Sequence, residues 1–187
     1  MICCLLNEKG VLNRIICIRI DLQKGTAMRT EQEVSSAIES YSDMVLRLCG
    51  VYLKNDADAE DIFQTVFLKY ALHDSPFEST EHEKAWLIRV TVNACKDLLK
   101  SFFRSKTVPL TELPGYLSNL TPERLAVMEA VWALPRTYRE CIYLHYYEGY
   151  TAPEIAKILH RNPNTVYTHL TRAKAMLRES LGGDPIG

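Results

Sequence analysis

Residues 151–181 read TAPEIAKILHRNPNTVYTHLTRAKAMLRESL, and the reading of this stretch decides the fold. Thr151 and Glu154 stand in capping-box spacing, in which the hydroxyl accepts a free amide of the first turn and the carboxylate reaches back to the amide of the cap residue. The spacing predicts a helix from Ala152, with Ile155, Ala156 and Leu159 on one face. Asn162-Pro163 then supplies a second start, because asparagine caps well and proline's fixed φ suits the first helical position. Beyond it Val166, Leu170, Ala173 and Leu177 recur at steps of four, three and four, one apolar stripe of helical period. The other faces show Asn164, Thr165, Tyr167, Thr168, His169, Thr171, Arg172, Lys174 and Arg178. A short helix, a tight turn and a longer helix with a polar, basic outer face is the helix-turn-helix pattern, whose second helix enters a DNA major groove. An ordinary helical hairpin with a solvated polar face has the same pattern, so the rest of the chain must decide.

At 187 residues and 47% hydrophobic content, the chain can hold one domain of ordinary size or two small ones. The formal charge of −1 excludes a uniformly basic nucleic-acid binder, but its distribution is uneven. Residues 28–80 hold four basic and ten acidic side chains, 4 − 10 = −6. Residues 81–106 hold six and three, 6 − 3 = +3, and residues 151–181 five and two, 5 − 2 = +3. An acidic first part followed by two basic segments implies one protein partner and two contacts with phosphate. Cys3, Cys4, Cys17, Cys49, Cys95 and Cys141 form no CxxC pair and no zinc-spaced set, and read as free thiols of a reducing cytoplasm. No apolar run is long enough to span a membrane without charge, so no membrane insertion is expected. Met1–Leu6 has no basic start and Arg14 and Arg19 break the next apolar stretch, which argues against a signal peptide.

Residues 1–27 differ from the rest. VLNRIICIRI at 11–20 would suit a short strand, yet nothing later offers it a sheet. We expect these residues to be an extension outside the fold, with the working protein starting at Met28; a regulatory arm is the alternative. Thr30 and Glu33 form a second capping box, ahead of a helix over about 31–53 that buries Val34, Ile38, Tyr41, Val45 and Leu48. Asn55 and Asp56 open the next helix, cored by Ile62, Phe63, Val66, Phe67 and Tyr70, with Asp58, Asp61 and Gln64 on a neighbouring face. HDSPFES at 73–79 is a polar loop carrying Phe77, and Thr80 with Glu83 spells a third capping box. The helix predicted over about 81–104 buries Trp86, Leu87, Val90, Ala94, Leu98 and Leu99 and shows Arg89, Asn93, Lys96, Asp97, Lys100 and Arg104 outward. A basic helix beside an aromatic loop suits single-stranded nucleic acid, because cations hold the backbone while rings stack on extruded bases. Residues 105–120 have two prolines, one glycine and no helical period, and read as an extended linker. Thr121-Pro122-Glu123 starts a further helix that ends near Pro135; another is expected over 136–148, stopping at Gly149. The tail 182–187 is expected to be disordered. The fold class is thus all-α, with small helical domains at 28–104 and 121–181.

In this order the blocks DAEDIFQTVFLK at 58–69, AWLIRVTVNACKDLLKS at 85–101, ALPRTYRECIYLHYYEGYTAPEIAKIL at 133–159 and NTVYTHLTRAKAML at 164–177 resemble the sigma-70 family of bacterial RNA polymerase sigma factors, in its extracytoplasmic-function (ECF) group. The resemblance covers nearly all of residues 28–181. It implies that the first domain is sigma region 2, docking on the clamp coiled coil of core RNA polymerase through Asp58, Asp61 and Gln64. The loop with Phe77, and the helix with Arg89, Asn93, Lys96, Asp97 and Lys100, would read and open the minus-ten promoter element and capture one flipped base. The second domain would be region 4, resting on the polymerase flap and placing Asn164, Thr165, Tyr167, Thr168, Thr171, Arg172 and Lys174 in the major groove of the minus-thirty-five element. Promoter DNA, double-stranded and melted, and an anti-sigma factor are the further partners implied; no cofactor, metal or catalytic residue is. Where family members carry basic residues, this chain has Tyr167 and His169, which implies a shallower salt dependence of DNA binding. A sigma-like mimic that sequesters an anti-sigma protein without directing transcription is the alternative. A stand-alone helix-turn-helix repressor would leave the first domain unexplained.

Overall fold

The structure is a computed structural model that describes residues 29–53, 55–105 and 122–182. The extension expected at 1–27, residues 106–120 of the expected linker and residues 183–187 of the expected tail lie outside the described residues. The described part is helical: α1 (Glu31–Tyr52), α2 (Asp56–Ala71), α3 (Thr80–Ser105), α4 (Pro122–Ala133), α5 (Arg136–Ile142), α6 (Ala152–Leu159) and α7 (Pro163–Leu181).

Local chemistry explains most of the helix ends. The Thr30 amide donates to the Glu33 carboxylate at 2.8 Å, and the Glu33 amide returns a bond to the Thr30 hydroxyl at 3.2 Å. That pairing also holds the Glu33 carboxyl below its ordinary pKa. Asn55 accepts from the amide of Ala57 at 2.9 Å. The third capping box does not form. Ser79 starts α3 instead, its hydroxyl accepting from the His82 amide at 3.1 Å. The Glu83 carboxylate is occupied elsewhere, accepting from the hydroxyls of Tyr41 at 3.2 Å and Tyr70. Two tertiary bonds outcompete one cap bond here, and they tie all three helices of the first bundle together.

α1, α2 and α3 pack mutually around Val45, Leu48, Phe63, Val66, Phe67, Leu87, Ile88 and Val92, all nearly inaccessible to solvent. In the second bundle α5, α6 and α4 pack against α7 through Leu134, Leu144, Ile155, Val166, Leu170 and Leu177. The helix expected over 136–148 is not uniform: after Ile142 it widens into a π-helical turn, Tyr143–Tyr147, before Gly149 reverses the chain at φ +78°. π-turns of this kind recur at functional positions in helices.

The two bundles also touch. α1 packs on α5, and α3 on α6, so one apolar core runs through both. The Trp132 indole donates to the Gly50 carbonyl at 3.1 Å, and the Tyr143 hydroxyl reaches the Met44 carbonyl at 3.5 Å.

Candidate polymerase and nucleic-acid interfaces

The helix-turn-helix is built as its sequence prescribes. The Thr151 amide and hydroxyl donate to Glu154 at 2.8 and 2.6 Å, and Asn162 accepts from the Asn164 amide at 2.8 Å. His160 closes α6 in the left-handed region, φ 51°, which makes the turn tight. Val166, Leu170, Ala173 and Leu177 are buried, so the arc opposite them is turned to solvent. Asn164, Thr165, Tyr167, Thr168, Thr171, Arg172 and Lys174 are all exposed on that arc. The hydroxyls of Thr168 and Thr171 donate to the carbonyls one turn back, of Asn164 at 2.9 Å and Tyr167 at 3.0 Å, which fixes their rotamers. Lys174 lies 5.3 Å from the Tyr146 ring centre.

His169 is not on this arc. It is half-buried against α5, 5.0 Å from the Tyr138 ring, with its Nδ1 3.9 Å from the Cys141 sulfur and 3.4 Å from Arg161. Burial, then the Arg161 charge, lowers its pKa below the ordinary histidine value. His169 therefore takes no position on the exposed arc of α7.

On α2, Asp61 is exposed and Asp58 and Gln64 are half-buried along the same side. Burial, with a contribution from the neighbouring Asp61 charge, raises the Asp58 pKa. Two carboxylates held close on one face favour a cationic partner, whose charge would offset their mutual repulsion.

The loop between α2 and α3 is an aromatic cluster. Phe77 packs 5.9 Å from the Tyr70 ring, 4.9 Å from His73 and 5.6 Å from Trp86, and His73 stacks on Trp86 at 4.7 Å. Trp86, expected in the core, is half-buried at the edge of this cluster. On α3, Asn93, Asp97 and Lys100 are exposed, with Asp97 and Lys100 paired at 2.9 Å, while Arg89 is half-buried.

Lys96 departs from the outward face expected of it. Its ammonium lies 3.3 Å from the carboxylate of Glu140, a residue of α5 with no solvent exposure. The same carboxylate pairs with Arg161 and accepts from the Tyr52 hydroxyl. One buried anion thus joins α1 and α3 of the first bundle to α5 and the α6–α7 turn of the second. A second bridge lies at the edge, where Lys84 meets Glu148 at 2.8 Å. A lone carboxylate at Glu140, four residues before the buried Leu144, was the available signal of an inward-facing charge.

Cys49, Cys95 and Cys141 are free and buried. Contact with Cys95 and burial push the Cys49 thiol up, so it stays protonated, and burial raises Cys141 to about 11. Among the described residues no group of His, Cys, Asp or Glu is placed to hold a metal ion, and no helix is long and apolar enough to cross a membrane.

Two family models match the chain in order: sigma-70 region 2 over residues 37–104 and sigma-70 region 4 over residues 124–177. The chain belongs to the sigma-70 family of RNA polymerase sigma factors, in its ECF group. Among curated relatives it is 28% identical to the RNA polymerase sigma factor SigV of Bacillus subtilis, over 81% of this chain and 93% of that protein. It is 28% identical to the ECF sigma factor SigM of Mycobacterium tuberculosis, over 73% of this chain and 70% of that protein. The fold matches that of the sigma factor RpoE from Bartonella quintana, solved in complex with the anti-sigma factor NepR, with a TM-score of 0.68 at 21% identity, covering 82% of this chain and 99% of that one.

Proposed function

We propose that this protein binds core RNA polymerase and directs promoter-specific initiation of transcription. The observation that carries this reading is the presence, in one chain, of a region 2 match followed by a region 4 match built on a capped helix-turn-helix with an exposed polar arc. In this reading the α2 side with Asp58, Asp61 and Gln64 docks on the clamp coiled coil. The aromatic loop and Arg89, Asn93, Lys96, Asp97 and Lys100 open and read the minus-ten element. The exposed arc of α7 reads the minus-thirty-five element. The protein supplies no covalent step of its own and works in the cytoplasm, where an anti-sigma factor restrains it.

The bundle junction adds a requirement. Lys96 cannot contact a phosphate while it is paired with Glu140, so its use at the minus-ten element requires that pair to break. The docking face is tested by the double substitution Asp61→Ala, Gln64→Ala in the full chain. Both side chains lie outside the core, so stability should change by less than about 0.5 kcal/mol. Affinity for core polymerase should fall roughly tenfold or more. Unchanged affinity would move the docking face elsewhere.

A further inference from the structure

The loop over residues 72–79 has no regular structure of its own, yet its aromatic side chains are closely arranged. A side chain from outside the loop and outside α3 helps to hold it. Arg29, just ahead of the Thr30 cap, sets its guanidinium 4.5 Å from the Phe77 ring centre and 4.7 Å from that of Tyr70. Its Nη2 donates to the Ser75 carbonyl at 2.9 Å, and its backbone amide donates to the Ala71 carbonyl at 3.1 Å. Glu33, the residue of the α1 capping box, lies 3.5 Å from Nη1 and orients the group. The arginine therefore grips the end of α2, the middle of the loop and the ring of Phe77 at once. A planar guanidinium can stack and donate in several directions together, which lysine cannot.

We propose that Arg29 is a positioning residue for base selection in the minus-ten element. It holds the loop in the shape that presents Phe77, His73 and Trp86 to an unpaired base, so the discrimination between bases depends on it although it belongs to the segment before α1. The inference rests on the assignment of this loop to minus-ten recognition.

The test uses the full chain bound to core polymerase, with Arg29→Ala and Arg29→Lys. Binding is measured to forked promoter DNA in which each unpaired position of the non-template strand carries each of the four bases in turn. The wild type should prefer one base at one position. Arg29→Ala should reduce that preference by roughly tenfold while affinity for core polymerase is retained. Arg29→Lys should restore little of it, since charge alone does not replace stacking with two-directional donation. A uniform loss of affinity over all bases, tracking a fall in melting temperature, would make Arg29 a support of the fold only and overturn the proposal. A wild type with no base preference at any unpaired position would remove the minus-ten assignment itself, and the proposal with it.

Discussion

Replacing Glu140 by glutamine tests whether the two bundles are held together by their shared carboxylate. Glu140 is wholly buried, and its cationic partners Lys96 and Arg161 keep 26% and 19% of their side-chain surface. Glu140→Gln preserves shape but leaves two cations facing a neutral amide. Removing one member of a fully buried pair costs about 3–5 kcal/mol, and the water that reaches Lys96 and Arg161 places this case near the lower end, about 3 kcal/mol. For a chain of this size such a loss lowers the melting temperature by roughly 6–12 °C. Arg161 belongs to the same bundle as Glu140, so the single substitution does not isolate the contact between bundles. A double-mutant cycle with Lys96→Met does, because Lys96 sits on α3 and Glu140 on α5. We expect a coupling of about 1–2 kcal/mol from denaturant midpoints, with little change on adding salt, since a buried pair is weakly screened. A coupling indistinguishable from zero would mean that Lys96 and Glu140 do not pair in solution, and the requirement for that pair to break would fall with it.

Two further outcomes follow from the same geometry. Arg172→Gln and Lys174→Gln, both on the exposed arc of α7, should each reduce the slope of log affinity for minus-thirty-five duplex against log salt by about 0.9; an unchanged slope would place these side chains off the phosphates. The lowered pKa of His169 means that protonation favours the unfolded chain, so its contribution to stability is complete above the unfolded value of about 6.5 and is lost as pH falls from there towards the folded pKa. Urea midpoints of wild type and His169→Gln, compared at about pH 5 and about pH 7.5, should therefore diverge more at neutral pH than in acid; a constant difference would show that the ring does not titrate differently on folding.

What could be read from sequence was local. Thr30 with Glu33, Asn55, Thr151 with Glu154, and Asn162 mark helix starts because the cap bonds lie within three residues of the cap. The stripe Val166, Leu170, Ala173, Leu177 was legible for the same reason, since helical period alone places it. What escaped was long-range competition. Thr80 and Glu83 have capping-box spacing, but Tyr41, 42 residues from Glu83, claims the carboxylate and Ser79 does the capping. Lys96 and His169 read as outward because their own helices left room for them outside. Each is drawn inward by a partner on another element, Glu140 for the one and Arg161 with Tyr138 for the other. Arg29 could not be assigned at all: its partner Ser75 lies 46 residues away, and an arginine before a cap has no pattern that points to a loop.

The most direct measurement of the central claim is transcription in vitro, with the purified full chain added to sigma-free bacterial core polymerase on a fragmented genomic template and the transcript starts mapped. A promoter-recognition subunit produces discrete new starts that share two upstream sequence elements, and the Asp61→Ala, Gln64→Ala variant needs roughly tenfold more protein to produce them. Absence of core binding, together with no new starts, would contradict the account.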